Sequence, residues 1–468
     1  MSHVKDFGAV GDGLNDDTEA IRHAIANHDG RVDFSGGRFR VNGSIEIDLA
    51  TVGPIALTGG GSGAIVMDGS GPALRVLGGH QGTADPRNVD EATWTKTRLP
   101  LIQDLEIGGL HDEADGIELN GCWQPSVVGV VLHDLRHGVV LAKRNRNLVI
   151  DRCHIYHNTG CGIFFREVNL HQANITGSHV SYNRQGGIRI QSSEVRNLQI
   201  TGNDIEYNNA ASHDSDRFDT SEPTAEIYFD CGKTGSLREI TISSNTIQAT
   251  ASPHGANIRM IGTPEEDHRI GMLSISGNLI GSQETNIWLT RCRGITLSGN
   301  YIYGAENRNL LLEDCSNVVS SGNCIGSNPD YAVPVRQVGL QLKRCKSVSS
   351  TGDLIESMTS YDPQQVSDRF SPATALLEIE QCDSVMVGQG HWVNAHPAAV
   401  AVNESSRVSL FGCQMSDTRT VENRRMAVQW KGQGEHNAIQ FCLLKPGDQG
   451  LIYAARRAQV EQASIRSG

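Results

Sequence analysis

Residues 197–324 repeat one short phrase in which an asparagine always occupies the same place. The copies are ITGNDIEYN at 200–208, ITISSNTIQ at 240–248, LSISGNLIG at 273–281, ITLSGNYIY at 295–303 and VVSSGNCIG at 318–326. The shared position is held by Asn203, Asn245, Asn278, Asn300 and Asn323, and further back, at steps of 25 residues, by Ser178 and Cys153. Asparagines at one turn of successive coils are expected to stack, because each side-chain amide can both donate and accept a hydrogen bond.

A second phrase, of the type apolar–x–apolar, lies between these copies. It reads GIRI at 187–190, EIYF at 226–229, NIRM at 257–260, NIWL at 286–289 and NLLL at 309–312. Two alternating strands in a unit of 22–25 residues, where nothing is inserted, are typical of a solenoid. The sequence therefore predicts an all-β fold, a right-handed parallel β-helix of about 10–12 coils.

The eleven cysteines and the N-terminus bear on whether the protein is cytoplasmic or secreted. Five of them recur at one repeat position and are predicted to be small buried side chains rather than disulfides or a metal cluster, namely Cys231, Cys292, Cys315, Cys345 and Cys382. Free thiols favour the cytoplasm. The N-terminus MSHVKDFGAVGDG has no apolar signal segment. A signal peptide removed beforehand would leave the same sequence, and the protein would then be secreted.

Both ends of the chain depart from the repeat. Residues 16–27 carry a helical apolar stripe with acids before it and Gly30 after it, which predicts a short helix that covers the first coil. The repeat is lost after residue 422. We therefore predict one domain with an N-terminal cap over 1–42, coils over 43–422 and a C-terminal cap over 423–468.

The segment VKDFGAVGDGLNDDTEAI at 4–21, followed by GGRFRV at 36–41, resembles the opening of pectate-lyase-superfamily β-helix proteins. That group includes polygalacturonase-like hydrolases and phage tailspikes. The later coils, with N-I-x-L-x-x-C before SGN, are similar to inulin-fructotransferase-type β-helices. The resemblance implies a β-helix that acts on carbohydrate. The acid pair that polygalacturonases place one coil after their NTDGI-type strand is absent from LRHGVVL at 135–141, so Asp115 is interpreted as a turn residue.

Outward residues of the second phrase are expected to form columns, because neighbouring parallel strands lie about 4.8 Å apart. The first column reads Glu118, Val140, Phe164, Arg189, Tyr228, Arg259, Trp288, Leu311, Gln341 and Glu378. The second reads Asn120, Ala142, Arg166, Gln191, Asp230, Ile261, Thr290, Glu313, Lys343 and Glu380. A third, taken to point outward as well, contains Gly187, Glu226, Asn257, Asn286 and Asn309.

The middle of this face predicts a carbohydrate site, because aromatic planes beside hydrogen-bonding groups suit sugar rings. Long insertions at 209–224 and 262–271 flank it and would turn the face into a cleft. The predicted catalytic residues are Asp230, Glu226, Asp219 and His213. The predicted substrate-binding residues are Arg166, Arg189, Gln191, Tyr228, Asn257, Arg259 and Trp288.

Two other sets of residues are weighed against this site. Glu378 and Glu380 form a rival carboxyl pair about 6.6 Å apart along one strand. His154, His179 and Asp204 share a column, but residues two coils apart are roughly 10 Å apart and cannot meet one metal ion. No metal and no cofactor is therefore predicted.

The sequence predicts an enzyme that cleaves glycosidic bonds of a poly- or oligosaccharide. Hydrolysis by paired carboxylates is the first hypothesis for its reaction. The alternatives are β-elimination on a uronate, a fructotransferase-type reaction, and a non-catalytic carbohydrate-binding β-helix. A net charge of −13 and a pI near 5.7 argue against nucleic-acid and membrane partners. A homo-oligomer, such as a trimer, stays open.

Overall fold

The computed structural model describes most of the chain. The described residues are 2–81, 85, 87, 89–210, 224–265, 269–328, 338–357, 370–371, 373–416, 426–446 and 450–467. The described residues form two compact units, of which the first runs to Thr241 and the second begins at Ile242.

Each unit is built from coils of three strands, and the equivalent strands of successive coils pair in parallel to form three sheets, A, B and C. Sheet A of the first unit contains Ile45–Asp48, Gly71–Leu77, Ala114–Trp123, the first parts of Val139–Asp151 and Cys161–Thr176, Gly186–Gln191 and Ala225–Asp230. Sheet B contains Ser2–His3, Arg31–Asp33, the first parts of Ala56–Met67 and Leu101–Gly109, Ser126–Val128, the second parts of Val139–Asp151 and Cys161–Thr176, and Glu194–Thr201. Sheet C contains Asp12–Asp16, Arg38–Val41, the second parts of Ala56–Met67 and Leu101–Gly109, Val131–His133, His154–Tyr156, His179–Ser181 and Asp204–Glu206.

The second unit repeats the three-sheet coil. Its sheet A contains Ala256–Ile261, Thr285–Thr290, Arg308–Glu313, Val338–Lys343, Leu377–Glu380, Val400–Asn403, Val428–Lys431 and Ile452–Ala454. Sheet B contains Ile270–Ser276, Arg293–Ser298, Ser316–Ser321, Lys346–Thr351, Asp383–Gly388, Ser406–Phe411, Asn437–Gln440 and Val460–Ala463. Sheet C contains Thr246–Gln248, Leu279–Gly281, Tyr301–Tyr303, Cys324–Gly326, Leu354–Glu356, His391–Val393, Gln414–Ser416, Leu443–Leu444 and Arg466–Ser467. A further strand, Ser236–Ser243, contains the boundary at Thr241.

The predicted asparagine ladder is confirmed in the second unit. The Asn245, Asn278 and Asn300 side-chain amides donate to the next asparagine oxygen at 2.9, 3.0 and 3.0 Å, and Asn323 donates to Asp353 at 2.9 Å. In the first unit the same position is held by Cys153, Ser178 and Asn203. The backbone N–H of Cys153 donates to the Ser178 hydroxyl, and that of Ser178 donates to the Asn203 side-chain oxygen. These bonds satisfy polar groups that would otherwise be buried without a partner.

The cysteine column also lies inside the coils. All eleven cysteines are free, ten are buried and Cys324 is half-buried. Cys382 Sγ lies 3.3 Å from the backbone nitrogen of Cys345, one coil away. The prediction of stacked small side chains rather than disulfides is therefore confirmed.

Helices are few among the described residues. The helix Thr18–Ala26, named α1, buries Ile21, Ala24 and Ile25 and contacts the strand Ile45–Asp48. Its apolar stripe is the one that the sequence predicted. The other helical segments are Leu49–Val52, Glu91–Thr95 and the 3-10 turns Val4–Phe7 and Arg456–Ala458.

Paired strands extend beyond the limits predicted for the coils. Arg31–Asp33 and Arg38–Val41 precede residue 43 and already pair in sheets B and C. Val428–Lys431 and Ile452–Ala454 follow residue 422 and pair in sheet A. Beyond residue 422 the position that marks the repeat is held by Cys442 instead of asparagine, so the repeat is hard to recognise there in the sequence.

Candidate functional site

The two outward columns of sheet A are confirmed within each unit. In the first unit Glu118, Val140, Phe164, Arg189 and Tyr228 are successive Cα partners. In the second unit the partners are Arg259, Trp288, Leu311, Gln341 and Glu378. The residues two positions later follow the same register, so Asp230 aligns with Gln191 and Glu380 with Lys343.

The third column does not point outward, and two predicted site residues are wrong for that reason. Glu226 and Asn257 are fully buried. Both precede the first apolar residue of a sheet A strand, where the chain turns, and their side chains enter the coil. Asn257 donates to Asn286 at 2.9 Å and Asn286 to Asn309 at 2.7 Å, which makes a second asparagine ladder. Neither residue can contact a polymer on the outer face.

Glu226 ends another ladder, in the first unit. The Asn158 amide donates to Asn183 at 2.7 Å and Asn183 to Asn208 at 2.7 Å. The Asn208 side-chain amide and backbone N–H both donate to the Glu226 carboxyl. Burial raises the pKa of Glu226 well above its ordinary value, although the Asn208 bonds oppose that change. This carboxyl is therefore a structural group in the coil interior.

The remaining predicted catalytic residues are not brought together. Asp219 and His213 lie outside the described residues. Asp230 is half-buried, and its Oδ1 accepts the Gly232 backbone N–H at 2.8 Å. The described part of the chain therefore gives Asp230 a place on the face and leaves its proposed partner unassigned.

Predicted substrate-binding residues of the first unit lie on one exposed face. The Arg189 guanidinium lies over the Tyr228 ring, 4.6 Å from its centroid. Gln191 follows Arg189 on the same strand and aligns with Arg166 in the neighbouring coil. Cation, aromatic ring and amide thus lie within two coils of each other, as the sequence predicted.

A basic groove lies further along the same sheet. Arg75 and Arg166 donate to the two oxygens of Glu118 at 3.1 and 3.0 Å, and Glu118 is only 7% exposed. Ala142 stands in the column between Asn120 and Arg166, and its small side chain leaves a cavity of about 580 Å³ that Lys143 also lines. The groove presents three cations against Glu118 and Glu167.

His137 is a residue of this face that the sequence reasoning missed. Its ring lies 5.1 Å from Phe164, and its Nδ1 accepts the Cys161 backbone N–H at 3.0 Å. Burial lowers the pKa of His137 to about 4, so the ring is neutral at pH 7 and its proton lies on Nε2. Asp115, which the sequence assigned to a turn, is buried and pairs with Arg136 at 2.6 and 2.9 Å. His137 and Arg136 both belong to the segment RHG at 136–138, which could have pointed to these two residues from the sequence.

In the second unit, Arg259 and Trp288 form another cation–aromatic pair. The Arg259 guanidinium lies 3.9 Å from the Trp288 ring centroid, and its Nη1 donates to Thr290 at 2.9 Å. The Trp288 indole N–H donates to Glu313 at 2.7 Å. The bond to Thr290 holds Arg259 and the bond to Glu313 holds Trp288, so the orientation of the Trp288 ring is fixed.

The rival carboxyl pair lies in a pocket of about 540 Å³ on sheet A of the second unit. The backbone N–H and hydroxyl of Thr374 each donate to Glu378 Oε1 at 2.8 Å, and Gln341 donates to Oε2 at 2.8 Å. Glu380 lies two residues later between Lys343 and Asn403 of the adjacent coils. The pocket is also lined by Asn307, Arg308, Phe370 and Lys431.

No group of three or more His, Cys, Asp or Glu side chains in the described part of the chain could hold a metal ion. His154 and His179 stack at 5.0 Å, and His179 Nδ1 lies 3.4 Å from Asp204. They occupy one column of sheet C, as the sequence predicted. None of the described helices is long and apolar enough to cross a membrane.

Comparison with known proteins supports the architecture. The family described as "Right handed beta helix region" matches residues 96–222. The tailspike protein 3 of Bacteriophage CBA120 superposes with a TM-score of 0.53 at 12% identity, over 94% of this chain and 61% of that one. The fold is a right-handed parallel β-helix. The β-helix fold that the N-terminal resemblance implied is thereby confirmed.

Two further similarities involve proteins named for their action on carbohydrate. Alginate lyase 7 of Azotobacter vinelandii is 34% identical over 137 residues, which are 27% of this chain and 15% of that protein. The family 28 exopolygalacturonase of Yersinia enterocolitica superposes with a TM-score of 0.38 at 11% identity, over 94% of this chain and 77% of that one. The chain thus spans a small part of the curated relative that it matches.

Proposed function

We propose that this protein cleaves glycosidic bonds of a poly- or oligosaccharide that binds across sheet A. The observation that carries the proposal is the pocket in which Glu378 and Glu380 lie two residues apart on one strand. Two carboxyl groups with different environments are what glycoside hydrolysis requires.

The two carboxyls differ in how they are held. Glu378 is 6% exposed and accepts hydrogen bonds from the Thr374 backbone N–H, the Thr374 hydroxyl and the Gln341 side-chain amide. Donors that hold a carboxylate in one orientation suit a group that acts as base or nucleophile. Glu380 is half-exposed beside Lys343 and faces the cleft, which suits the group that exchanges a proton with the leaving oxygen.

The remaining pocket lining suits a saccharide. Phe370 provides an aromatic surface, and Asn307, Gln341 and Asn403 provide amides that can bond ring hydroxyls. Ala401 follows Glu378 in the column, so the pocket deepens beside the reacting carboxyl. A sugar bound there would lie within reach of both acids.

The experiment compares two products on a polysaccharide panel. Reducing ends report hydrolysis, whereas absorbance near 235 nm reports the unsaturated sugar that only elimination produces. Glu378→Gln and Glu380→Gln should each lower the release of reducing ends at least a hundredfold, with Glu461→Gln, an exposed glutamate of sheet B, as the matched control. Wild-type activity in both variants would rule out this pocket.

A second candidate function is β-elimination on a uronate in the first unit. The groove around Glu118 favours it, because Arg75, Lys143 and Arg166 could neutralise a uronate carboxylate. The name of the alginate lyase relative points to the same chemistry. In that case the product would absorb near 235 nm, and Arg166→Ala rather than Glu378→Gln would abolish it.

A third class, a carbohydrate-binding β-helix without turnover, shares its fold with the tailspike. Such a protein would retard polysaccharide on a gel and release neither product. The panel therefore separates all three.

A further inference from the structure

Sheet C of the first unit carries an aromatic and acidic surface that is separate from sheet A. Its outward residues form one column through His133, Tyr156, Ser181 and Glu206, which are successive Cα partners. A parallel column, two residues earlier, contains His154, His179 and Asp204. The sequence singled out only the second column.

Ser181 interrupts the first column. Tyr156 stacks on His133 with centroids 5.5 Å apart and planes at 9°, so one face of its ring is covered. On the other side the next side chain is that of Ser181, which is far shorter than a tyrosine or glutamate. Tyr156 and Glu206 are two coils apart, about 9.6 Å by strand spacing. This one-coil gap, with Ser181 as its floor, is the Ser181 notch.

Side chains of Tyr182 and His179 border the notch. Tyr182 follows Ser181 at the turn and stacks on Tyr207 with centroids 5.4 Å apart. His179 precedes Ser181 by two residues, and its side chain is 57% exposed. Two rings, an imidazole and a carboxyl group therefore surround a space one coil high.

Glu206 and Asp204 interact at the far end of the notch. Burial, a hydrogen bond with Asp204 and the charge of Asp204 together raise the pKa of Glu206 to about 7. Asp204 in turn lies beside His179 at 3.4 Å. At neutral pH Glu206 can therefore both donate and accept hydrogen bonds, which is what neighbouring sugar hydroxyls require.

We propose that the Ser181 notch binds a pyranose ring of a neutral oligosaccharide, stacked on Tyr156 and bonded to Glu206. Ring centroids that stack lie 4.5–7 Å apart, so a gap of about 9.6 Å admits one ring between the tyrosine and the carboxyl group. Glu106 and Asp134 lie near Tyr156 and add negative charge. A uronate is disfavoured for that reason.

The notch is independent of the proposed reaction on sheet A. It would hold a second segment of the same polymer, or a different glycan, without taking part in cleavage. Its occupancy therefore does not depend on Glu378 or Glu380, and loss of the notch leaves turnover on short substrates unchanged.

The test uses the full chain and isothermal titration with cellohexaose, mannohexaose and xylohexaose as neutral probes and hexagalacturonate as the acidic one. Ser181→Phe fills the notch, and Ser181→Ala, which keeps it open, is the matched control. Tyr156→Ala removes the ring platform, Glu206→Ala removes the carboxyl, and Glu206→Gln retains its hydrogen bonding. Circular dichroism melting of each variant checks the fold.

At least one neutral probe should bind the wild type, Ser181→Ala and Glu206→Gln with affinities within threefold of each other. Ser181→Phe, Tyr156→Ala and Glu206→Ala should bind it at least tenfold more weakly. The proposal is overturned if no neutral probe binds, if Ser181→Phe and Tyr156→Ala bind as the wild type does, or if only hexagalacturonate responds. Reducing-end release by Ser181→Phe, measured in parallel, reports on sheet A alone.

Discussion

Glu226 accepts the backbone N–H of Asn208 at 2.9 Å and 3.0 Å on its two oxygens, in the place where Asn208 itself accepts the N–H of Asn183 at 3.1 Å. A carboxyl group thus takes the position of an amide at the end of a buried ladder. Its surroundings bury it fully, and burial raises the pKa of Glu226.

Glu226→Gln should stabilise the protein relative to the wild type, and this difference in the free energy of unfolding should grow as the pH rises. The folded state holds the Glu226 proton more tightly than the unfolded state does, so wild-type stability is complete below about pH 4.5 and falls above it. The loss is at most about 1.4 kcal/mol per pH unit for one proton. Glutamine keeps an oxygen that can accept both Asn208 bonds and removes the titration.

Urea unfolding between pH 4.5 and 8 measures this effect. The free-energy difference between Glu226→Gln and the wild type should grow with pH, whereas Glu46→Gln, at an exposed position of the same unit, should show no such trend. The free energy of unfolding of Glu226→Gln minus that of the wild type should be larger at pH 8 than at pH 4.5. A smaller difference at pH 8 would refute a raised pKa of Glu226.

Asn300→Ala should destabilise the second unit by about 2 kcal/mol or more. The Asn300 oxygen accepts the backbone N–H and the side-chain amide of Asn278 at 3.1 and 3.0 Å, and both donors are buried. Thr296→Ala, at an exposed position of the same coil, is the control and should change stability little. Thermal melts of the two variants decide the matter, and equal melting temperatures would contradict the role of the ladder.

Thr374→Val should lower kcat about tenfold with little change in KM, if the pocket is catalytic. The substitution removes the hydroxyl that donates to Glu378 at 2.8 Å and leaves the backbone N–H bond at 2.8 Å in place. Glu378 then loses one of the bonds that orient it. A change confined to KM would instead make Thr374 a substrate contact, and no change would make it irrelevant.

Arg166→Ala should weaken binding of hexagalacturonate at least tenfold and leave neutral hexasaccharides unaffected. Arg166 reaches across one coil to Glu118 at 3.0 Å and presents its remaining N–H groups to the groove. The control is Arg152→Ala, which removes an exposed arginine that pairs with Asp151 away from the groove. Equal weakening by both variants would indicate general charge attraction.

One thiol of eleven should react quickly with Ellman's reagent in the native protein. Ten cysteines are buried, and Cys324 is half-buried. Burial and the nearby Glu356 raise the pKa of Cys324, so its reaction should accelerate with pH. Cys324→Ser should remove the fast phase, and all ten remaining thiols should react in denaturant. Several fast thiols in the variant would contradict the packing of the cysteine column.

Much of the fold could be predicted from the sequence because a repeat reports its own register. Asn278 and Asn300 are 22 residues apart in the chain and bonded at 3.0 Å in the structure. The outward columns followed from the same register, down to the pairing of Arg189 with Tyr228 and of Arg259 with Trp288.

The site was harder to predict because period-2 alternation fails where a strand begins at a turn. Glu226 and Asn257 stand one residue before an inward apolar side chain and nevertheless point inward themselves. The pocket around Glu378 depends on Phe370 and Thr374, which precede the strand Leu377–Glu380 and have no strand register of their own. Sequence spacing cannot place residues of that kind.

The three asparagine ladders run in one direction, with the amide hydrogens pointing toward the C-terminal end. In two of them the last donor is accepted by a carboxyl group, Glu226 in one unit and Asp353 in the other. A carboxyl group suits this last position because its oxygens can accept from the final amide. A designer who lengthens either stack would therefore convert the old terminator to asparagine and carry the acid forward to the new final rung.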